Sequence, residues 1–315
     1  MKNDAKKIIV IVGPTASGKT GWGVEIAKKF NGEIISADSR QVYRRLDIGT
    51  GKDSGEYGKV RYHLIDICEP GEKFTLFDWL KLARRTIKDI FERGKLPVVV
   101  GGTGLYVQAL CEGFHLSEKL KVVGSPKAKG WCGQSEKKYT RQVLEQKTLK
   151  ELQEICSKLA FDSNKLDFKN PRRLIRAIER AQDKIAPTKR KPDFKVLQIG
   201  IDIPREKLYK KIDRRVDERF EGGMLGEVQN LIESGVDPNW LLNLGLEYKI
   251  ITSYIMALAT NSQASNSFDK MSEELKYKIH AYARRQLTWL RRFKNIRWLD
   301  DLDKAKVLTK KFLDN

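Results

Sequence analysis

Cysteine and histidine are scarce in this chain, at four and three of 315 residues. Cys68, Cys111, Cys132 and Cys156 stand far apart, form no C-x-x-C pair and do not cluster with the histidines. A zinc site or a disulfide framework is therefore not expected. Long apolar runs are missing too: no stretch approaches the roughly 20 residues that span a bilayer, and the opening Met1-Lys2-Asn3-Asp4 is not a secretory signal. A soluble cytoplasmic chain without membrane association is expected. Internal repeats are also absent. Acidic residues fall short of basic ones, 41 against 61, leaving a formal charge of +20. Such an excess points to a polyanionic partner, because basic surface gains affinity by releasing counterions from a nucleic-acid backbone.

What is present begins with Gly13-Pro14-Thr15-Ala16-Ser17-Gly18-Lys19-Thr20, directly after the apolar run Ile8 to Val12. The segment matches G-x-x-x-x-G-K-[ST] in its proper setting, a strand followed by a helix. Its glycines let backbone N–H groups turn toward an oligophosphate, Lys19 supplies fixed positive charge, and the Thr20 hydroxyl is a ligand for Mg²⁺. All eight residues are candidate phosphate-binding positions. The loop by itself does not say whether the phosphates belong to ATP.

The first third of the chain alternates strand and helix patterns. Ile8 to Val12 reads as a buried strand, Gly21 to Phe30 as a helix, and Glu33 to Ser36 as a short strand ending near Asp38. Leu76, Leu80, Ala83, Ile87 and Ile90 recur at helical spacing, Gly94 stops that helix, and Leu96 to Val100 is another buried strand. This order predicts an α/β fold with a P-loop NTPase-like parallel sheet flanked by helices, ligands lying off the carboxyl ends of the strands. Asp38 and Gly101-Gly102-Thr103-Gly104 lie at two such ends. Lysine-rich, helix-leaning sequence follows, with a Gly/Ser/Pro stretch at Gly124 to Gly133, and a core strand resumes at Val196 to Ile201. The expected organisation is a core of residues 1–112 and 194–315 with an inserted, mainly helical domain at 113–193. After Ile201, helices are expected to the C-terminus, with a loop at Asn261 to Ser267.

These segments, in this order, carry a family resemblance. The phosphate loop, Ser36-Ala37-Asp38-Ser39-Arg40-Gln41-Val42-Tyr43, Asp47-Ile48-Gly49-Thr50, Gly101 to Tyr106, Asn170 to Glu179, Arg215-Val216-Asp217 and Arg284-Arg285-Gln286-Leu287-Thr288-Trp289-Leu290-Arg291 together resemble the tRNA dimethylallyltransferases. The resemblance implies transfer of a five-carbon prenyl group from dimethylallyl diphosphate to N6 of adenosine 37 in tRNA, with release of diphosphate. It implies Mg²⁺ as cofactor, dimethylallyl diphosphate and the anticodon stem-loop as partners, and a monomer.

It also implies roles for particular residues. Asp38 would accept a proton from the exocyclic amine, a poor nucleophile whose lone pair is delocalised into the ring. Thr15 and an arginine would contact the diphosphate near its departing oxygen; a rigid cationic fork suits that task. Arg214 and Arg219 compete by sequence, and the resemblance selects Arg215. Asp38, Ser39, Arg40, Gln41 and Thr103 are the implied tRNA contacts near the target base. Asp66, closing Tyr62 to Asp66, is either an Mg²⁺ aspartate or a structural strand-end acid.

Basic segments extend the reading. Arg172, Arg173 and Arg176 fall within about one helical turn, and Arg284, Thr288 and Arg291 share a helix face beside Arg285. Such rows suit phosphates, with Gln41 or Gln286 candidates for base edges and Tyr106 for stacking. Under the last helix, Leu275, Ile279, Tyr282, Leu287 and Leu290 form the expected core stripe. The chain departs from the family's G-Y-[KR]-[EQ] turn at Leu244-Gly245-Leu246-Glu247-Tyr248-Lys249. Rival readings are an adenylate prenyltransferase, a P-loop small-molecule kinase, and a non-catalytic nucleic-acid-binding ATPase.

Overall fold

A computed structural model of the chain describes residues 6–52, 54–115, 139–159, 166–183, 188–259 and 267–315. The Gly124 to Gly133 stretch, Cys132 and most of the loop expected at Asn261 to Ser267 lie outside these. In chain order the strands are β1 (Lys7–Val12), β2 (Gly32–Ser36), β3 (Tyr62–His63), β4 (Leu96–Gly101), β5 (Phe114–His115), β6 (Thr188–Lys189), β7 (Lys195–Ile201) and β8 (Ile296–Leu299). The helices are α1 (Lys19–Lys29), α2 (Ser54–Tyr57), α3 (Leu76–Glu92), α4 (Gly104–Cys111), α5 (Arg141–Glu145), α6 (Leu149–Lys158), α7 (Pro171–Asp183), α8 (Arg205–Glu221), α9 (Met224–Glu233), α10 (Pro238–Leu244), α11 (Leu246–Ala259), α12 (Phe268–Leu290) and α13 (Leu302–Asp314).

The chain divides into two units, residues 1–113 with 191–315, and residues 114–190. In the larger unit six parallel strands run in the order β3-β2-β4-β1-β7-β8. Apolar side chains on both faces make β1 and β4 the centre of the sheet, since strands covered twice must be hydrophobic throughout. Register aligns Val12 with Gly101 and Gly200, and Ser36 with Val100. The loops after β1, β2 and β4 consequently leave the same edge side by side. Gly101 is required there, because a Cβ on it would collide with the Ala37 carbonyl oxygen.

One core lies between the sheet and α1 and α13, around Ile9, Ile11, Val24, Ile34, Val98 and Ala305. A second gathers α8, α9, α11 and α12 around Ile212, Val228, Tyr248, Leu275 and Ile279. Each large aliphatic side chain so buried contributes about 1.5–3 kcal/mol. Thr75 and Asp78 form a reciprocal capping box at the start of α3. From that helix the fully buried Trp79 donates its indole N–H to the Ser36 carbonyl at 2.9 Å, pinning the end of β2.

The smaller unit packs α5, α6 and α7 around Leu144, Leu152, Ile155, Cys156, Leu174 and Ile178, and pairs β5 with β6 antiparallel. Two expectations need correction. The region after Ile201 is not entirely helical: β8 extends the sheet beside β7. Its four residues run from buried Ile296 through exposed Arg297 to half-buried Trp298 and Leu299, too short and too mixed to show strand periodicity. The buried face of α12 runs through Met271, Leu275, Ile279, Ala283, Gln286 and Leu290, with Leu287 half-buried against the same core, whereas Tyr282, expected in that stripe, lines the cavity described below.

Candidate active site

A cavity of about 760 Å³ opens at the carboxyl edge of the sheet, built wholly from the larger unit. Thr15, Ala16, Gly18, Lys19 and Thr20 form its floor. Gly18 adopts φ 85° as it feeds α1, a conformation that favours glycine, while Gly13, Pro14 and Ser17 are buried and do not line the cavity. Lys19 donates to the Pro14 carbonyl at 3.4 Å. Burial, opposed by Asp38 and reinforced by Arg215 and Arg219, lowers the Lys19 ammonium to about 8. Crowded cations at the head of a helix make a field that an oligophosphate would relieve.

From α8 the Arg215 guanidinium donates a hydrogen bond to the Thr15 hydroxyl. Of the three neighbouring arginines, Arg214 instead pairs with Glu218 along its own helix at 2.7 Å. Arg219 is buried, donating to the Gly49 carbonyl at 3.3 Å and standing 3.8 Å from Glu247.

Asp38 lines the cavity beyond β2, its carboxylate accepting the Arg40 backbone N–H at 2.9 Å. Ser39 donates its backbone N–H to the Thr103 hydroxyl at 3.1 Å, so the loop after β2 and the glycine-rich turn after β4 are tied together. Asp38, Thr15, Lys19, Thr20 and Arg215 thus face one space.

Several expected contacts are committed inside the protein. Gln286 accepts the Thr15 backbone N–H at 2.9 Å and donates to the Gly102 carbonyl at 3.0 Å. Gln41 donates to the Gly51 carbonyl and accepts from the Ser36 hydroxyl, both at 3.0 Å. Both glutamines, expected at base edges, are struts here. Tyr106 is buried and stacked on Trp79 at 4.6 Å, which takes up the ring expected to stack on a base. Arg40, expected against tRNA, directs its guanidinium to Glu247 at 2.8 Å. Asp66 pairs with Lys52 and does not line the cavity, so the structural alternative holds for it.

Sequence reasoning missed the wall opposite. Glu227 accepts the backbone N–H groups of Asp47 and Ile48 at 2.7 Å and of Gly49 at 3.1 Å, while Tyr248 donates its hydroxyl to the same carboxylate at 2.8 Å. The Asp47 to Thr50 motif is therefore a loop folded over a carboxylate. Nothing in the local sequence of α9 marks Glu227 for that task. Tyr282 also lines the cavity, with Arg40 and Arg285 each 5.9 Å from its ring centre. Burial and then Asp38 push its phenol up to about 12.

The basic rows stand on different units. In the larger, Arg284 donates to the Tyr209 hydroxyl at 2.8 Å, Arg291 stands 3.9 Å from Asp202, Thr288 is exposed, and Arg285 is exposed beside Tyr282. In the smaller, Arg173 pairs with Asp167 and Arg176 with Glu179, each at 3.1 Å, and Arg172 is exposed on the same helix.

The IPP transferase family model matches residues 41–293, and the isopentenyl transferase model matches residues 6–65. A tRNA dimethylallyltransferase of Parabacteroides distasonis is 39% identical over 305 residues, covering 93% of this chain and 92% of that protein. One from Acetivibrio thermocellus is 37% identical, covering 96% and 95%. Among solved structures, the tRNA isopentenylpyrophosphate transferase of Bacillus halodurans superposes with a TM-score of 0.67 at 34% identity, covering 98% of this chain and 96% of that one. A eukaryotic dimethylallyltransferase described as acting on tRNA gives 0.76 at 25% identity, covering 98% and 80%. The chain belongs to the IPP transferase family, that of the tRNA dimethylallyltransferases.

Proposed function

We propose that the protein transfers the dimethylallyl group of dimethylallyl diphosphate to N6 of adenosine 37 in tRNA, releasing diphosphate. The observation that carries this reading is the convergence of Asp38 with Lys19, Thr15 and Arg215 on one cavity: an acceptor for the amine proton faces a cationic seat for a leaving group. In the transfer the allylic C–O bond breaks and its electrons leave with the diphosphate. Arg215, Thr15 and Lys19 stabilise that charge as it develops. The N6 lone pair forms the new C–N bond while Asp38 accepts the proton that the amine gives up.

Mg²⁺ fits the donor set. This ion takes most of its ligands from phosphate oxygens and water, so a site offering the Thr20 hydroxyl beside Lys19 suits it, whereas no group of three His, Cys, Asp or Glu gathers to hold a metal among the described residues. When bound, the ion would neutralise charge on the diphosphate oxygens. The charge of +20, Arg285 and the exposed arginines of α7 favour the anticodon stem-loop over a free nucleotide as acceptor. The protein acts as a cytoplasmic monomer in this reading.

The test offers the protein Mg²⁺ and labelled dimethylallyl diphosphate with unmodified tRNA bearing an A-rich anticodon loop, with AMP, or with neither. Label on N6 of adenosine in tRNA alone is the expected result. Label in AMP alone would assign the adenylate prenyltransferase activity instead.

A further inference from the structure

The turn between α10 and α11 carries an unassigned role. Gly245 has φ 84° and Leu246 φ 45°, a conformation an L side chain with a branched body rarely adopts. The strained turn starts α11 so that its second residue, Glu247, faces the cavity. The Glu247 carboxylate is 7% exposed and stands 2.8 Å from the Arg40 guanidinium and 3.8 Å from that of Arg219. Without this anion, the half-buried Arg40 and the buried Arg219 guanidiniums would lose their ion-pair partner in a cavity already holding Lys19 and Arg215. The backbone N–H of Arg40, two residues after Asp38, donates to the Asp38 carboxylate. Anchoring the Arg40 side chain therefore fixes the short loop that aims Asp38.

We infer that Glu247 is a positioning residue for the transfer: it clamps Arg40 and, through the Arg40 backbone N–H, holds Asp38 in line with the amine it serves. This rests on the proposed function. Glu247 does not line the phosphate floor, so its loss acts on the rate of chemistry and leaves the leaving-group seat intact. The size of the effect follows from geometry, since a misplacement of about 1 Å costs on the order of 10²-fold.

The experiment is a single turnover with enzyme in excess of labelled tRNA, reading the rate constant separately from the amplitude, alongside titration with inorganic diphosphate in Mg²⁺. With folded enzyme saturating over tRNA the rate constant does not depend on the folded fraction, which circular dichroism reads separately, so a purely structural role leaves the rate constant alone. Glu247→Gln is expected to lower the rate constant roughly 10–100-fold with diphosphate affinity within about threefold, and Glu247→Asp to recover part of the loss because it keeps the charge. Should Glu247→Gln not fold, Arg40→Met breaks the same clamp from the other side and is expected to slow the same step. A rate constant within about threefold of wild type in the folded variant overturns the inference. So does an equal loss of diphosphate affinity, which would make Glu247 part of the phosphate seat. If the wild-type protein itself places no label on tRNA, the functional reading fails first and takes this inference with it.

Discussion

The Arg215 guanidinium donates a hydrogen bond to the Thr15 hydroxyl, joining positions 200 residues apart. The contact puts the positive charge of α8 against the phosphate loop, where under the proposed function it would meet the charge that gathers on the diphosphate as the allylic bond breaks. Arg215→Ala is expected to lower the single-turnover rate constant by about 10²–10³-fold. Combined with Thr15→Ala, the loss should be less than the product of the two single effects. Fully independent effects in the double-mutant cycle would separate the two side chains functionally.

Asp38→Ala is expected to cut turnover by roughly 10²–10⁴-fold while tRNA affinity stays close to wild type. Stopped-turnover rates and a filter-binding titration measure the two quantities. Near-normal turnover would remove Asp38 from proton transfer.

Lys19 gives a pH dependence with a defined sign. Its ammonium is lowered to about 8 in the free site, chiefly by burial, against an ordinary 10.5. A bound diphosphate favours the charged form, so binding takes up a proton wherever free Lys19 has lost it. Diphosphate affinity should be flat below about pH 8 and weaken above it, by up to about tenfold per pH unit. Calorimetry in two buffers of different ionisation enthalpy checks the proton uptake directly; a flat affinity through pH 9.5 would contradict the assignment.

At the opposite edge of the sheet, Glu33 is 1% exposed and held by His63 at 2.7 Å, Arg93 at 2.7 Å and Lys95 at 3.6 Å. Burial would raise its carboxyl, but the hydrogen bonds from Arg93 and His63 outweigh it and lower the group to about 2. A depressed carboxyl stabilises the fold above its ordinary value of 4.5 and loses that contribution as pH falls toward 2. Glu33→Gln should destabilise the protein at neutral pH by on the order of 2 kcal/mol and flatten the fall in Tm between about pH 4.5 and 2.

Arg284, Arg285 and Arg291 provide the electrostatic test. Replacing all three by alanine should weaken tRNA binding and reduce its salt slope by up to about three, one for each phosphate no longer neutralised. Arg285, exposed beside the cavity-lining Tyr282, should carry the largest single share. An unchanged slope would place that face of α12 away from RNA.

Much of this arrangement was legible in the residues because it is local. Val12 to Thr20 and Leu96 to Gly104 announce strand, turn and helix by composition alone, and parallel pairing then brings their ends together. Long-range polar partners were not legible. Gln286 looks like an exposed reader within an arginine run, yet helical phase turns it into the core, where its amide has two backbone partners. Glu227 and Glu247 are ordinary helical acids by sequence, and only packing against α8 and the loop after β2 gives them a task. Strand β8 escaped notice because an edge strand of four residues with a single buried one needs no alternation to pair.

Gln286 also sets when the site comes into being. Its amide bridges Thr15 and Gly102, and the first of these lies 271 residues earlier. A ribosome-bound chain displays its phosphate loop through most of synthesis before the bolt that braces it has been made. A chain released short of α12 would carry the sequence of the loop without the side chain that ties it to Gly102.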